Sequence, residues 1–404
     1  MRNKRILVLS TYPIKNPQHG GQKRTRAIYD AYKHNFVTVR HSAVFYKVFY
    51  SDYDADDIAL SPASEQLVMQ SPLTGDIVCG KAIFNDQVVK AKMKLLIKAF
   101  RPEAIHIEQP FQYLGIKPLL AELKLTPKII FGSQNIEAPM KREILEGIGV
   151  ADADIKPIEA IIGELEKRLS KECDLLVACT PNDLQAHRKM GAKHTVLASN
   201  GIAKLVPASE SRKAWRSKFS SLGVKRYALF VGSAHPPNWT GFTDMVGKGM
   251  GFVPHDARIV AGGSISDYFD REVYPSRQTI EDATFWLRVF SAGRLSEERL
   301  SGLIQESDVI LLPITEGGGS NLKTAEAIIA NKKVVATEHA LRSFEWFRDF
   351  PNVWVAKNQK EFQTSIVEAL GSPYIERTKS QNKLAQTVEW KYCLAQMIEE
   401  VNKL

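Results

Sequence analysis

The stretch Val309-Ile-Leu-Leu-Pro-Ile-Thr-Glu-Gly-Gly-Gly-Ser-Asn-Leu-Lys-Thr-Ala-Glu326 decides the fold. It opens with the short apolar run of a buried strand, and residues 322–330 have the character of a helix. The glycines between them let the backbone approach a ligand, and the unpaired N–H groups at a helix start carry partial positive charge. This order predicts a phosphate-binding site. Lys323 adds a full charge against a diphosphate, and Glu326, one turn further on, is placed to accept hydrogen bonds from ribose hydroxyls.

The same alternation of apolar strands and helices runs along the rest of the chain and starts twice, at residues 4–10 and again at 227–232. Strands that alternate with helices predict a parallel sheet covered on both faces. We therefore expect an α/β protein with two Rossmann-like domains whose parallel sheets face a central cleft. The expected parts are an N-terminal domain (1–205), a C-terminal domain (206–380) and a helix (381–404) that packs back on the N-terminal domain. The remaining predicted strands are 104–108, 128–131, 174–178, 195–198, 257–263, 308–313, 332–336 and 353–356.

The length and composition are those of a globular protein with two domains. A chain of 404 residues is longer than one hydrophobic core ordinarily supports, and 44% of its residues are hydrophobic. No apolar run reaches the length of a membrane-spanning helix. The four cysteines have no CxxC spacing, so the sequence predicts neither a zinc site nor a redox pair. These features lead us to expect a cytoplasmic protein.

The formal net charge of +9 is concentrated in residues 1–50, which hold ten Lys or Arg residues and one acid. A local basic surface indicates an anionic partner, such as a phosphate, an acidic membrane face or nucleic acid. Residues 88–100 read as a helix with Lys90, Lys94 and Lys98 on one face, which fits either a packed helix with a solvated edge or a helix at a membrane surface. The aromatic residues from Phe36 to Tyr50 fit buried strand positions at least as well as nucleic-acid stacking.

At the glycine-rich segment the chain resembles the retaining glycosyltransferases of family four ("glycosyl transferases group 1"), in the branch with Gly-Gly-Gly-x-x-Leu-Lys before the donor-binding glutamate. These enzymes have the two-domain GT-B architecture. The resemblance is also carried, in order, by Gly20-Gly21 with Arg24, His106-Ile-Glu108-Gln-Pro110, Ser133-Gln-Asn135-Ile-Glu137, Asn200-Gly201-Ile202, Phe230-Val-Gly232-Ser-Ala-His-Pro-Pro-Asn238 and Ser291-Ala-Gly293-Arg.

The resemblance implies transfer of a hexose from a UDP or GDP sugar to a hydroxyl acceptor, with retained anomeric configuration, in polysaccharide or glycolipid assembly. It implies no metal and no cofactor beyond the nucleotide sugar itself, a co-substrate. The acceptor is expected to be a glycan or a lipid-linked sugar held by the N-terminal domain, whose basic surface could contact the cytoplasmic face of a membrane. The residues predicted to be catalytic are His106, Lys323 and Glu326; the position of His106 at a strand end fits a hydrogen-bonded structural histidine equally well. The residues implied in donor binding are Gly20, Gly21, Arg24, Gly232, His235, Gly318, Gly319, Ser320, Asn321, Leu322, Lys323 and Glu326.

Two departures from the family pattern affect the site. The family commonly places a glutamate eight positions before the donor-binding one, and here that position is Gly318. The family also often has Arg and Lys after the first strand of the C-terminal domain, whereas residues 233–239 hold neither. Because a leaving diphosphate needs positive charge, we expect Lys323, Arg24 and backbone N–H groups to supply it.

Three other functions share some of these sequence features. An inverting transferase would use an N-terminal base such as His106. A Rossmann oxidoreductase would need GxGxxG after a first strand, and neither domain has it. A basic nucleic-acid-binding protein is permitted by charge, but the sequence contains no recognition motif. The pairs Asp54/Asp56 and Asp152/Asp154 have the metal-binding DxD spacing but lie in polar loops, where solvated acids or helix caps are expected.

Overall fold

The computed structural model of the protein describes residues 4–36, 38–234, 236–269, 279–316 and 322–404. The chain forms two compact units. The first comprises Met1–Asn200 with Trp390–Leu404, and the second comprises Gly201–Glu389. The sequence had led us to expect divisions after residues 205 and 380. None of the helices in the described ranges combines the length and the apolar character that crossing a bilayer requires.

The first unit is built on a parallel seven-stranded sheet with the strand order β3-β2-β1-β4-β5-β6-β7. Its central strands are continuous apolar runs, because both faces of the sheet are covered. Ile6, Leu7 and Val8 are fully buried, for example. The strands are β1 (Arg5–Ser10), β2 (Thr38–Phe45), β3 (Ile58–Ala59), β4 (Ala104–Glu108), β5 (Lys128–Ser133), β6 (Leu175–Ala178) and β7 (Thr195–Leu197).

Helices connect these strands and cover the sheet. Several begin with a side-chain cap that satisfies a free backbone N–H: Asp86 accepts from Val88 and Val89, and Thr180 accepts from Asp183. The helices are α1 (Gly20–Asn35), α2 (Pro62–Gln70), α3 (Gly75–Asn85), α4 (Gln87–Phe100), α5 (Tyr113–Leu123), α6 (Glu137–Gly147), α7 (Asp152–Glu172) and α8 (Pro181–Met190). Short 3-10 turns occupy Lys47–Phe49 and Pro72–Thr74.

The second unit repeats the arrangement with a parallel six-stranded sheet in the order β10-β9-β8-β11-β12-β13. The strands are β8 (Arg226–Val231), β9 (Ala257–Gly262), β10 (Val289–Gly293), β11 (Val309–Leu312), β12 (Lys333–Thr337) and β13 (Val353–Ala356). The helices are α9 (Ser209–Ser221), α10 (Pro236–Met245), α11 (Ile265–Tyr268), α12 (Ile280–Arg288), α13 (Glu297–Glu306), α14 (Leu322–Ala330), α15 (Gln359–Gly371) and α16 (Lys379–Gln386), with 3-10 turns at His339–Leu341 and Glu345–Asp349. The prediction of two α/β units with parallel sheets is confirmed.

The last two helices, α17 (Trp390–Cys393) and α18 (Ala395–Lys403), belong to the first unit. Met397 and Val401 are fully buried in one cluster with Ile6 and Val8 of β1. The Lys4 ammonium donates to the Val401 carbonyl at 2.8 Å. One face of the first sheet is therefore completed by residues that follow the whole second unit in the chain.

In each sheet the strand order reverses at one strand, because the chain first adds strands on one side of it and later on the other side. β1 lies between β2 and β4, and β8 lies between β9 and β11. In parallel α/β sheets, ligands bind beyond the carboxyl ends of the strands at such a point. The candidate ligand-binding residues are therefore those that follow β1 and β4 in the first unit, and those that follow β8 and β11 in the second.

Candidate functional site

In the second unit, the carboxyl ends of β8, β9 and β10 are joined through backbone hydrogen bonds between glycines. The Gly232 N–H donates to the Gly262 carbonyl, and the Gly263 N–H donates to the Gly293 carbonyl, both at 2.9 Å. Gly263 has a φ of 94°, and a Cβ at this position would lie 2.4 Å from the Gly232 carbonyl oxygen. A side chain cannot be accommodated there, so the strand ends form a surface of bare backbone.

The hydroxyls of Ser264 and Ser266 hold the loops around this surface. Ser264 Oγ accepts from the Ala234 N–H at 3.0 Å. Ser266 Oγ donates to the Ala261 carbonyl at 2.9 Å and accepts from the Gly293 N–H at 3.1 Å. These bonds fix the position of the segment after β8 relative to the ends of β9 and β10.

The first turn of α14 is anchored at the same edge of the sheet. The Thr324 hydroxyl is fully buried and donates to the Ala340 carbonyl at 2.5 Å. The Thr337 hydroxyl donates to the carbonyl of Ile314, in the segment after β11. Lys323 and Glu326 stand three residues apart on α14 and therefore share one face of the helix. Both are half-buried, as is Leu322 at the helix start.

The ammonium of Lys323 lies against the end of β8. It donates a hydrogen bond to the Asn238 side-chain oxygen and stands 5.6 Å from the centre of the Phe230 ring. Burial lowers the pKa of Lys323 to about 8, although the nearby Glu326 carboxylate acts in the opposite direction. A lysine whose charge changes near neutral pH, at the ligand-binding edge of a parallel sheet, is typical of a functional site.

Two further hydroxyls at this edge are buried without a partner in the described part of the chain. They are Ser291 Oγ in β10 and Thr315 Oγ1 after β11. Buried hydroxyls are ordinarily hydrogen-bonded, so these two are available to a bound water or ligand. Five predicted donor-binding residues, His235, Gly318, Gly319, Ser320 and Asn321, lie outside the described residues.

In the first unit, a buried polar network follows β1, β4 and β5, and His106 stands at its centre. His106 is 0% exposed. Its Nδ1 is 2.7 Å from the Tyr32 hydroxyl, and its Nε2 is 2.9 Å from Glu108 Oε1. Burial alone would raise the pKa of Glu108, but the His106 hydrogen bond and the Arg24 charge hold it below its usual range. Both ring nitrogens of His106 are therefore engaged inside the protein.

Arg24 belongs to the same network and is 1% exposed. Its Nη1 donates to the Ala198 carbonyl at 2.7 Å and to Asn200 Oδ1 at 3.1 Å. Its Nε lies 3.8 Å from Glu108 Oε2. Among the described residues, neither Nε nor Nη2 has a hydrogen-bond acceptor. The guanidinium thus connects helix α1 to the residues that follow strand β7.

The predicted glycine loop at Gly20-Gly21 forms the start of α1. A Cβ on Gly21 would lie 2.6 Å from the Tyr12 hydroxyl and 2.8 Å from Gln134 Oε1. Tyr12 and Gln134 are themselves joined, because Gln134 Nε2 donates to the Tyr12 hydroxyl at 2.6 Å. The glycine is required by this packing, which brings the helix start close to the ends of β1 and β5.

Two buried carboxyls, Glu137 and Glu166, meet at the start of α6. Glu166 accepts the backbone N–H groups of Glu137 and Ala138 at 2.7 and 3.1 Å. Burial, and then the neighbouring Glu166 charge, raises the pKa of Glu137 to about 8, and burial raises the pKa of Glu166 to about 7. Glu137 Oε1 lies 3.5 Å from Gln109 Nε2, and Gln109 has a φ of 66°, which is uncommon for a residue with a side chain.

The basic residues near the N-terminus are partly neutralised in the fold. Lys15 pairs with Asp52 at 2.7 Å, and Arg40 lies 3.7 Å from Asp56. On α4, Lys90 and Lys94 both pair with Glu122. The turn after β2 is different, since Val48 and Phe49 are each 72% exposed beside the exposed Lys47.

The two Asp-x-Asp segments are engaged in local contacts. Asp152 pairs with Arg142 at 2.9 Å and with Lys156 at 2.7 Å. The Asp54 N–H donates to Asp57 Oδ2 at 2.9 Å. Within the described ranges, no group of three or more His, Cys, Asp or Glu side chains is arranged to hold a metal ion.

Comparison with solved structures identifies the architecture. The chain is similar over 99% of its length to sucrose-phosphate synthase from Thermosynechococcus elongatus, with a TM-score of 0.66, 14% identity and 98% of that chain covered. It is similar over 99% of its length to Anabaena HepE, solved in complex with UDP, with a TM-score of 0.62, 14% identity and 100% of that chain covered. WaaG, a glycosyltransferase involved in lipopolysaccharide biosynthesis, matches with a TM-score of 0.59 and 12% identity, at 98% of both chains. No protein-family model and no curated protein sequence matches.

The chain therefore has the GT-B fold, as the resemblance of its motifs had led us to expect. Sequence reasoning did not single out Asn238 or the pair Glu137 and Glu166 as chemically important. The signal for Asn238 was the Pro-Pro-Asn-Trp segment after β8, in a stretch that holds no Arg or Lys. Nothing in the sequence indicated that Glu137 and Glu166 would meet, because they lie on different helices.

Proposed function

We propose that this protein is a glycosyltransferase that uses a nucleotide diphosphate sugar as its donor. The observation that carries the proposal is the placement of Lys323 and Glu326 on one face of α14, at the ligand-binding edge of the second sheet of a GT-B fold. Lys323 contacts the diphosphate and Glu326 accepts hydrogen bonds from the ribose hydroxyls. The bare glycine backbone at Gly232 and Gly263 allows the donor to approach the strand ends.

In the proposed reaction, the bond between the anomeric carbon and the diphosphate oxygen breaks, and a bond to the acceptor oxygen forms. The acceptor hydroxyl loses its proton as the nucleotide diphosphate leaves with the negative charge. Lys323 stabilises that charge together with the N–H groups at the start of α14, so the reaction needs no divalent metal. We propose retention of the anomeric configuration, by analogy with the family that the motifs resemble.

The proposed roles of His106 and Arg24 follow from their burial. An inverting mechanism with His106 as the base would require one ring nitrogen to face the acceptor, but both nitrogens have partners inside the protein. Arg24 would have to leave Ala198 and Asn200 to reach a phosphate. We therefore assign both residues to the support of the strand ends, and we assign the leaving-group charge to Lys323.

We propose UDP as the nucleotide, because Anabaena HepE has been solved with UDP and with UDP-glucose. The acceptor is proposed to be a glycan or lipid-linked sugar bound by the first unit, in polysaccharide or glycolipid assembly at the cytoplasmic face of a membrane. The exposed Lys47-Val48-Phe49 turn favours such a contact, whereas the pairing of Lys15 and Arg40 with aspartates weakens it.

A hydrolysis screen tests the proposal without knowledge of the acceptor, because slow transfer to water reveals the donor. UDP and GDP sugars are incubated with the purified protein, and release of the nucleotide diphosphate is measured. We expect release from a UDP hexose, and we expect Lys323→Met to abolish it. An absence of release from every nucleotide sugar, together with no stabilisation by UDP in a thermal shift assay, would contradict the proposed function.

A further inference from the structure

The Asn238 side chain contacts the ammonium group of Lys323. It lies in the first turn of α10, directly after the end of β8. Its Nδ2 group donates to the Ser233 carbonyl at 2.9 Å and to Ser233 Oγ at 3.0 Å, and its Oδ1 accepts from the Lys323 ammonium. Lys323 and Asn238 are 85 positions apart in the chain, so this bond joins two separate segments at the edge of the sheet.

The orientation of the Asn238 amide is determined by its partners. A carbonyl oxygen accepts only, so the Ser233 carbonyl must face the NH₂ group of Asn238. An ammonium donates only, so Lys323 must face the amide oxygen. Because both sides of the amide have hydrogen-bond partners, its oxygen points in one direction. This oxygen fixes the position of the ammonium group at the end of the flexible Lys323 side chain.

We propose that Asn238, itself oriented by Ser233, is a positioning residue that directs the Lys323 ammonium toward the diphosphate of the donor. This inference rests on the proposed function, because it assumes that Lys323 contacts the donor phosphates. It concerns a residue in the stretch where the family that the motifs resemble often has Arg and Lys, and where this chain has neither.

The neutrality of the amide is essential to this role. A carboxylate in the same place would form an ion pair with Lys323, cancel its charge and repel a diphosphate. An amide fixes the position of the ammonium while leaving its full charge for the ligand. The burial that lowers the pKa of Lys323 also acts against holding a charge there, and a bound diphosphate would reverse that effect.

The test is a double-mutant cycle on equilibrium binding, with UDP and uridine as ligands of the full-length protein. We expect Lys323→Ala to weaken UDP binding roughly ten- to a hundredfold and to leave uridine binding unchanged. Asn238→Ala should weaken UDP binding about three- to tenfold, again without an effect on uridine. In the Lys323→Ala background, Asn238→Ala should change UDP binding less than about twofold, because it acts through Lys323.

Two further variants separate positioning from folding. Asn358→Ala removes a side chain that caps α15 in the same unit, and it should lower the melting temperature without changing UDP binding. Asn238→Asp keeps the size of the side chain but adds a charge, and it should weaken UDP binding at least as much as Asn238→Ala. If Asn238→Ala does not fold, Asn238→Ser, which is also uncharged, is measured in its place in the cycle.

The outcomes are distinct. Loss of UDP affinity in Asn238→Ala that persists in the Lys323→Ala background would overturn the inference, as would unchanged UDP affinity in a folded Asn238→Ala or Asn238→Asp protein. If Lys323→Ala itself binds UDP as tightly as the unmodified protein, the proposed donor role of Lys323 fails, and the inference fails with it. A coupled effect confined to UDP would support both.

Discussion

The lowered pKa of Lys323 leads us to predict how strongly the affinity for the donor nucleotide depends on pH. In the free protein this pKa lies at about 8, because the side chain is half-buried beside Phe230 and the neutral Asn238, with Glu326 as a nearby opposing charge. Only the ammonium form attracts a diphosphate. Raising the pH above 8 removes the charge, so UDP affinity must fall as pH rises. With a free pKa of about 8 and full protonation in the complex, the dissociation constant should increase about tenfold between pH 7 and pH 9.

The assay is isothermal titration of UDP from pH 7 to 9.5, where the terminal phosphate is already largely ionised because its second pKa lies near 6. Uridine provides one control, because its affinity at each pH corrects for the ionisation of the uracil ring at the alkaline end of the range. Lys323→Met provides the second, and its weaker UDP affinity should change with pH only as the affinity for uridine does. The heat should also vary with the ionisation enthalpy of the buffer near pH 8, since binding takes up a proton. A UDP affinity that stays constant from pH 7 to 9.5 in the unmodified protein would refute the reasoning.

Four further predictions concern other parts of the molecule. Glu326→Ala should weaken UDP binding by about 1.5–3 kcal/mol, and unchanged affinity in calorimetry would remove Glu326 from the ribose site. Donor hydrolysis should survive EDTA, whereas complete loss restored by Mn²⁺ would show a metal requirement. Because the pKa of Glu137 is raised to about 8, its protonated form stabilises the fold below the usual glutamate pKa, and this contribution is lost as pH rises toward 8. The side chain that Glu137→Gln introduces cannot ionise. The change in the free energy of unfolding caused by this substitution, measured by urea denaturation, should therefore be more stabilising at pH 8.5 than at pH 5, by on the order of 1–3 kcal/mol. An equal change at both pH values would contradict the raised pKa. Co-sedimentation should show preference for anionic liposomes that weakens with salt and with replacement of Val48 and Phe49 by serine, and binding that is indifferent to lipid charge would favour an acceptor away from membranes.

Most strands of the two sheets could be predicted from the sequence, because buried parallel strands are continuous apolar runs. Residues 104–108 and 353–356 coincide with β4 and β13, and residues 322–330 coincide with α14. Strand β2 was harder to recognise, because Thr-Val-Arg-His-Ser-Ala-Val-Phe interrupts its apolar residues with Arg40 and His41. The aromatic residues around it divide sharply. Phe45 is fully buried as the last residue of the strand, whereas Phe49 is 72% exposed once the chain has left the sheet.

The identity of the candidate site residues could be predicted only where the sequence carries a local pattern. A strand, a glycine-rich loop and a helix lie together in the chain, so Lys323 and Glu326 could be proposed without coordinates. The partner of Lys323 could not, because Asn238 precedes it by 85 residues and only the parallel order of β8 and β11 brings the two together. The burial of Arg24 was equally invisible, since it depends on acceptors at Ala198 and Asn200.

The return of α17 and α18 to the first unit has a consequence for biosynthesis. The fifteen residues Trp390–Leu404 leave the ribosome only after all of Gly201–Glu389 has been translated. At ordinary translation speeds, this delay is roughly ten to forty seconds. During that time the cluster around Ile6 and Val8 lacks Met397 and Val401, so the nascent first unit presents an open apolar face. A premature stop codon near residue 389 would therefore damage the domain that was made first, and a chaperone that binds apolar segments would find its target there.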